Sequence, residues 1–284
     1  MFQEKLLTSR HQGSQRGPIT RLIDPSTLGH DLKPFVFLDF FNAPVHRGFG
    51  FGMHPHSGIA TLTWQPGCDV RYEDTTGQNG VLKAGGLEWM NSGGGVWHQG
   101  SFDTDGQATG FQLWVAMPPR VEDGEASGQY VPPEDVQAVK FPAGELRVLL
   151  GECEVQDTAV RSSIDPHQDM HYLVLTLNPN ASWRWDIPVH HDVSWAFPFE
   201  GSLIRNGQPE TLNLLTFGAG SGLNLIAGPS GARVIMGSAR KHEHPLIMGP
   251  SSVHTSEASL LAGQRRIQEI GGLLQVQRRL SLGR

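Results

Sequence analysis

Met53-His54-Pro55-His56-Ser57-Gly58-Ile59-Ala60-Thr61-Leu62-Thr63-Trp64 decides how the rest of the chain is read. Ile59 to Trp64 is rich in β-branched and aromatic residues and ends at the Pro66-Gly67 turn, which predicts a strand. Alternate residues of a strand face the same side, so His54 and His56 can aim both imidazoles at one point. Neutral imidazole is the commonest biological metal ligand, and such a pair suits a cation; the plainer alternative is two surface histidines beside a turn. A third histidine follows a glycine-rich turn in Gly93-Gly94-Gly95-Val96-Trp97-His98-Gln99-Gly100. Between the two stretches lie short strand-like runs and turns such as Thr76-Gly77-Gln78-Asn79-Gly80. A β-meander or barrel of that kind can return the chain to the first pair.

Outward from this region the sequence keeps the same character. Its 284 residues suit one large or two small domains, and 35 glycines and 19 prolines punctuate short strands, which favours an all-β protein. Strands are predicted over 34–41, 70–74, 110–117, 146–151, 171–177, 194–199, 212–217 and 233–237. Residues 118–143, rich in Pro, Gly and acid, read as the connection between two halves. One helix is expected, from Thr255 to Gly271, with Ser256 as its cap and apolar residues at roughly helical spacing. A faint internal repeat sets Thr61–Gly67 against Trp195–Gly201 and Asn91–Gly95 against Phe217–Gly222, as two similar barrels in tandem would. In that register His54, His56 and His98 fall on Pro188, His190 and near Leu225, so the second barrel would keep the fold and lack the ligand set.

The net charge of 22 − 28 = −6, with no basic block, argues against direct nucleic-acid binding. The first residues hold no long apolar run of a signal peptide, and no stretch approaches the roughly 20 apolar residues of a membrane span. Cys68 and Cys153 are too few for a disulfide framework and fit a reducing cytoplasm. The Gly93-Gly94-Gly95 run lacks the Lys-Ser/Thr and helix of a phosphate loop, and no Gly-x-Ser-x-Gly elbow is present. Asp165–His171, His190-His191-Asp192 and His242-Glu243-His244 carry ligand-type residues but read as polar loops and strand ends.

His54-Pro55-His56-Ser57-Gly58, Glu88-Trp89-Met90-Asn91-Ser92-Gly93-Gly94-Gly95-Val96-Trp97-His98 and Phe111-Gln112-Leu113-Trp114-Val115 together resemble the pirin family of bicupins. The likeness is dense over residues 35–120 and thinner beyond, where Pro245-Leu246-Ile247-Met248-Gly249-Pro250 is similar to the family's C-terminal loop. It implies an all-β fold of two cupin-type β-barrels in tandem with a short C-terminal helix. The expected division is residues 1–140, with the metal-site histidines, and 141–284, without metal. It further implies one metal at His54, His56 and His98, iron(II) foremost, with zinc, nickel, manganese or copper, or a metal-free protein, as alternatives. Some family members cleave quercetin with dioxygen and others regulate by binding partner proteins, so a small aromatic or enolic molecule and a partner protein are both expected ligands.

The chain departs from the family where a second ligand strand usually reads His-x-Glu: Gly100 stands in the glutamate's place. Gln99 points to the opposite strand face and cannot substitute, and Ala60 occupies the position of another family glutamate. Three readings follow. Three histidines hold a divalent ion with water completing its shell; or the site is vestigial in a binding module; or a carboxylate arrives from elsewhere. Glu73, Asp74 and Glu88 are nearest in sequence, although their spacing does not aim them inward. No catalytic side chain is identifiable.

Overall fold

The computed structural model describes residues 2–282. The chain is built of antiparallel strands, with one long helix at its C-terminal end. It forms two compact units whose limits do not follow a single cut near residue 140. One unit comprises residues up to Gln15, Asp31–Pro34 and Glu134–Lys241; the other comprises Arg16–His30, Phe35–Pro133 and everything from His242 onward. The chain therefore gives its first strand to the later barrel and its last segment to the earlier one. Residues 118–143 are more than a connection. Ser127–Val131 is an edge strand on Leu87–Asn91, and Ala138–Phe141 pairs with Gly144–Leu150.

Among the described residues the histidine-bearing unit has two main sheets, besides the hairpin Ile247–Gly249 with Ser252–His254. The larger orders Ser127–Val131, Leu87–Asn91, Ile59–Trp64, Gly106–Ala116, Phe35–Val45 and Ile19–Ile23 side by side. The smaller runs Gly50–His56, Val96–Phe102, Val70–Asp74, Asn79–Leu82. Phe35, Val36, Ile59, Leu62, Phe111 and Leu113 are fully buried, as the apolar runs of strands covered on both faces require. The predicted strand over 34–41 is longer, Phe35–Val45, and is matched by Gly106–Ala116 along nearly its whole length.

In the other unit, Leu7–His11, Leu214–Phe217, Val193–Arg205, Gly222–Ala239, Met170–Leu177, Gly144–Leu150 and Ala138–Phe141 lie in that order. The 18-residue strand Gly222–Ala239 serves three neighbours along its length. Its first part pairs with Ser182–Asp186 and its second with Met170–Leu177 and Val193–Arg205. Leu146, Leu173, Leu175, Trp185, Leu223 and Met236 are among the buried side chains of its core.

The C-terminal helix, Glu257–Leu282, outruns its predicted end at Gly271. Ser256 caps it as expected, its Oγ accepting from Ser259 N at 3.1 Å. Gly271 does not stop the helix because it serves packing. A Cβ there would lie 2.7 Å from Cζ2 of Trp97, so only glycine lets the indole lie against the helix backbone. Trp97 Nε1 also donates to the Ile267 carbonyl at 2.8 Å, which ties the helix to the strand that carries His98.

Candidate metal centre

His54 and His98 are directly paired across the smaller sheet, and His56 lies opposite Val96 on the same strand pair. Strand alternation puts His54 and His56 on one face, and the cross-strand pairing brings His98 to them. The ring centroids lie 4.5 Å (His54–His98), 5.0 Å (His54–His56) and 5.1 Å (His56–His98) apart. One nitrogen from each ring comes within 4.8 Å of the other two. His56 and His98 are buried, and Trp114 sets its edge against His56 at 5.0 Å.

The hydrogen bonds assign the tautomers. His54 Nδ1 donates to the Gly52 carbonyl at 2.7 Å, and His56 Nδ1 donates to the Ser251 carbonyl at 2.9 Å. His98 Nδ1 donates to Glu88 Oε1 at 3.1 Å. A carbonyl or carboxylate can only accept, so each Nδ1 carries a proton, and in the neutral ring Nε2 presents the lone pair. Nε2 of His56 and of His98 are buried without a hydrogen-bond partner. Burial, with the neighbouring rings adding to it, holds His54 below and His56 well below the ordinary imidazole value, so both are neutral at pH 7. Imidazoles held at Nδ1 and bare at Nε2 are the donor set a borderline divalent cation takes, with the outer partners fixing ring orientation.

Of the three carboxylates near in sequence, one reaches the histidines, contrary to the expectation from spacing. Glu88 crosses from the larger sheet to His98 and is itself buried. It meets the outer nitrogen, so it orients the ring and supplies charge behind it. A signal was present: Leu87-Glu88-Trp89-Met90-Asn91 is a wholly buried strand, and a buried carboxylate needs a partner. Asp74 instead closes its own turn, accepting from Thr76 and Gln78 through Oδ1, and takes the Tyr130 hydroxyl at Oδ2. Glu73 lies outside, accepting from Gln99 Nε2 at 2.7 Å, which also shows Gln99 turned from the site. Ser251 and Gly52 act through backbone carbonyls and leave no mark in composition. A cavity of about 80 Å³ touches His54, His98, Glu88, Phe51, Gln112 and Gly100.

Ser57 and Gly58 complete the motif after His56. Gly58 has φ +76°, and a Cβ there would lie 2.3 Å from the Val253 carbonyl, so the returning C-terminal segment demands glycine.

The second group of ligand-type residues behaves differently. Asp169 accepts from Nε2 of His190 and of His191, each at 2.9 Å, and Ser238 Oγ meets His191 Nδ1 at 2.9 Å. These donors satisfy one another.

The family model described as Pirin matches residues 18–115, the segment that holds all three histidines. A Vibrio cholerae protein named "Putative quercetin 2,3-dioxygenase" is 31% identical over 216 residues, covering 73% of this chain and 76% of its own. The chain belongs to the pirin family. A Pseudomonas aeruginosa protein of the same name is 29% identical over 249 residues, 84% of this pirin and 86% of its relative. The crystal structure of quercetin 2,3-dioxygenase from Acinetobacter baumannii matches with a TM-score of 0.82 at 20% identity, covering 93% of this pirin and 96% of that chain. This likeness establishes the fold: tandem cupin barrels with a C-terminal helix. The pirin is thus a metal-binding cupin protein related to quercetin 2,3-dioxygenase-like proteins. Among the described residues no helix is long and apolar enough to cross a membrane.

Proposed function

We propose that His54, His56 and His98 hold one divalent ion, iron(II), through their Nε2 atoms, and that this pirin is a cytoplasmic oxygenase of phenolic or enolic substrates. The observation that carries the reading is the set of three rings with Nδ1 engaged and Nε2 bare. Two of those bare atoms are buried without a partner, a costly arrangement unless a cation takes the lone pairs. An ion bound there supplies a Lewis acid and, as iron, a route for electrons between substrate oxygen and dioxygen.

The side chains define what can enter. Three neutral imidazoles bring no charge, and Gly100 brings no carboxylate, so an anionic oxygen donor such as an enolate or catecholate is favoured beside the dication. Phe51 and Phe41 line the cavity together with Gln112 and Thr63, so its wall is apolar with polar edges. Among the described residues no side chain is placed as a proton acceptor: Glu88 is held on His98 Nδ1. The other barrel, whose Asp169, His190 and His191 satisfy one another, carries no ion.

A second reading, a regulator that binds a partner protein, is favoured by Phe49 and Phe51, which are 59% and 51% exposed, Phe51 at the cavity. Titration with iron(II) and zinc(II), followed by oxygen uptake over a panel of flavonols and catechols, separates the two. The enzyme reading expects one equivalent held at the three histidines, lost in His98→Ala, and oxygen consumed with at least one substrate. Tight metal binding with no uptake across the panel favours the regulator. No binding at all removes the metal from either reading.

A further inference from the structure

Glu122 and Asp123, at the end of the short helix Pro119–Glu122, face His254 of the returning strand Ser252–His254. Glu122 and His254 are each 1% exposed, and the Asp123 side chain is half open to solvent. His254 Nδ1 lies 3.8 Å from Glu122 Oε2 and 3.6 Å from Asp123 Oδ1, and it has no hydrogen-bond partner.

The protons around His254 can be followed. Ser57 Oγ donates to Ser252 Oγ at 2.9 Å, so its hydroxyl proton is committed. His254 Nε2, 3.0 Å from Ser57 Oγ, must then be the donor of that pair. Nδ1 is left as a bare lone pair directed at two carboxylates. Three electron-pair donors therefore converge with no proton between them. The spacing is too wide for hydrogen bonds, which close at roughly 2.7–3.2 Å. It fits a shared ion: two donors each about 2.1 Å from one cation stand roughly 3.4–3.8 Å apart at tetrahedral or wider angles.

We propose that Glu122, Asp123 and His254 form a second divalent-cation site, distinct from the three histidines, that fastens the C-terminal segment to its barrel. One imidazole with two carboxylates suits a borderline transition ion such as zinc(II), cobalt(II) or manganese(II), not calcium or magnesium. Thr255 holds Glu122 in place, its N and Oγ1 donating at 2.7 and 2.6 Å, and Ser259 Oγ donates to Asp123 Oδ2 at 2.7 Å. The ion enters from the Asp123 side, where a groove runs along the helix Glu257–Leu282 past Gly263 and Arg266. The segment it fastens includes Ser251, whose carbonyl orients His56.

The test counts zinc(II) on the full-length protein by calorimetric titration and elemental analysis. Wild type should bind two equivalents, and His54→Ala/His98→Ala should keep one, with a raised melting temperature when zinc is present. Asp123→Ala, a half-exposed change that leaves the core intact, should bind one equivalent and lose the zinc-dependent rise when combined with that double variant. Cobalt(II) in the double variant should give visible ligand-field bands, and His254→Gln should shift or abolish them. The proposal is overturned if wild type binds no more than one equivalent and the double variant none, which would leave water in the site. It is equally overturned if a second equivalent survives Asp123→Ala unchanged. Because the double variant removes the three-histidine site, this result is independent of what that site does.

Discussion

Glu88 and Gly100 both line the cavity beside His98, one with a carboxylate and the other without a side chain. Gly100 carries no carboxylate, while the buried Glu88 accepts from the outer nitrogen of His98 at 3.1 Å. Some of the negative charge that the ligand set lacks is thus supplied through the ring, which makes His98 a stronger donor. Replacing Glu88 by Gln keeps an acceptor for Nδ1–H and removes the charge. Zinc or iron(II) affinity should fall about 10- to 100-fold with little change in the melting temperature of the metal-free protein. Equal affinity in titration would show the charge to be irrelevant. Gly100→Glu tests the other position. Position 100 keeps its two-residue step from His98 against Val70–Asp74, although the pairing with Gly50–His56 shifts register between His98 and Gly100, and a Cβ there would make only ordinary contact, 3.5 Å from Val70 Cγ1. The added carboxylate should raise metal affinity, and more so at neutral pH than below its intrinsic pKa of about 4.3. Weaker binding on adding it would mean that another group already fills that place.

Among the elements, the C-terminal helix depends on adjacent glycines with opposite demands. Gly271 faces Trp97, where a Cβ would come within 2.7 Å of the ring; Gly272 has nothing within 4 Å. Gly271→Ala should therefore destabilise by about 1–3 kcal/mol, through a displaced indole and the loss of its bond to Ile267. Gly272→Ala should instead stabilise by up to about 1 kcal/mol, since alanine is the better helix former and meets no neighbour. Urea unfolding followed by tryptophan fluorescence gives both numbers, and the same sign for the two substitutions would refute this placement of the helix. The strand that carries His54 and His56 relies on the same C-terminal segment through the Ser251 carbonyl, so truncation before His242 should weaken binding at the three histidines without removing any of the three.

At the scale of the molecule, buried imidazoles make stability depend on pH. Burial, with His191 close by, pushes His171 down to about 4, and His54, His56, His191 and His254 are also lowered, each chiefly by burial. In the unfolded chain these rings titrate near 6.5. Below that pH the unfolded state binds more protons than the folded one, so unfolding becomes easier as pH falls. Thermal melts of the metal-free protein should show a plateau above about pH 6.5 and a progressive loss toward pH 4. Below that, the lowered carboxyls of Asp24, Asp69 and Asp169 continue the decline. A melting temperature that holds steady or rises between pH 6.5 and 4 would contradict the assignment of neutral, buried rings.

What the sequence determined by itself is the local part. Strand periodicity puts His54 and His56 on one face. The glycine turn before Val96 starts the strand of His98, and the density of short strands between turns makes the chain all-β. These readings rest on backbone sterics and side-chain alternation, which act over a few residues. The tertiary structure decided what depends on residues far apart in the chain. Glu88 reaches His98 only because two sheets face each other, and Ser251 reaches His56 across 195 residues. Gly271 continues a helix because Trp97 lies against it, and each barrel takes a piece of chain from the far end of the sequence. Glu122, Asp123 and His254 meet for the same reason. Each of these contacts is set by the packing of elements distant in sequence, and spacing along the chain carries no trace of that packing.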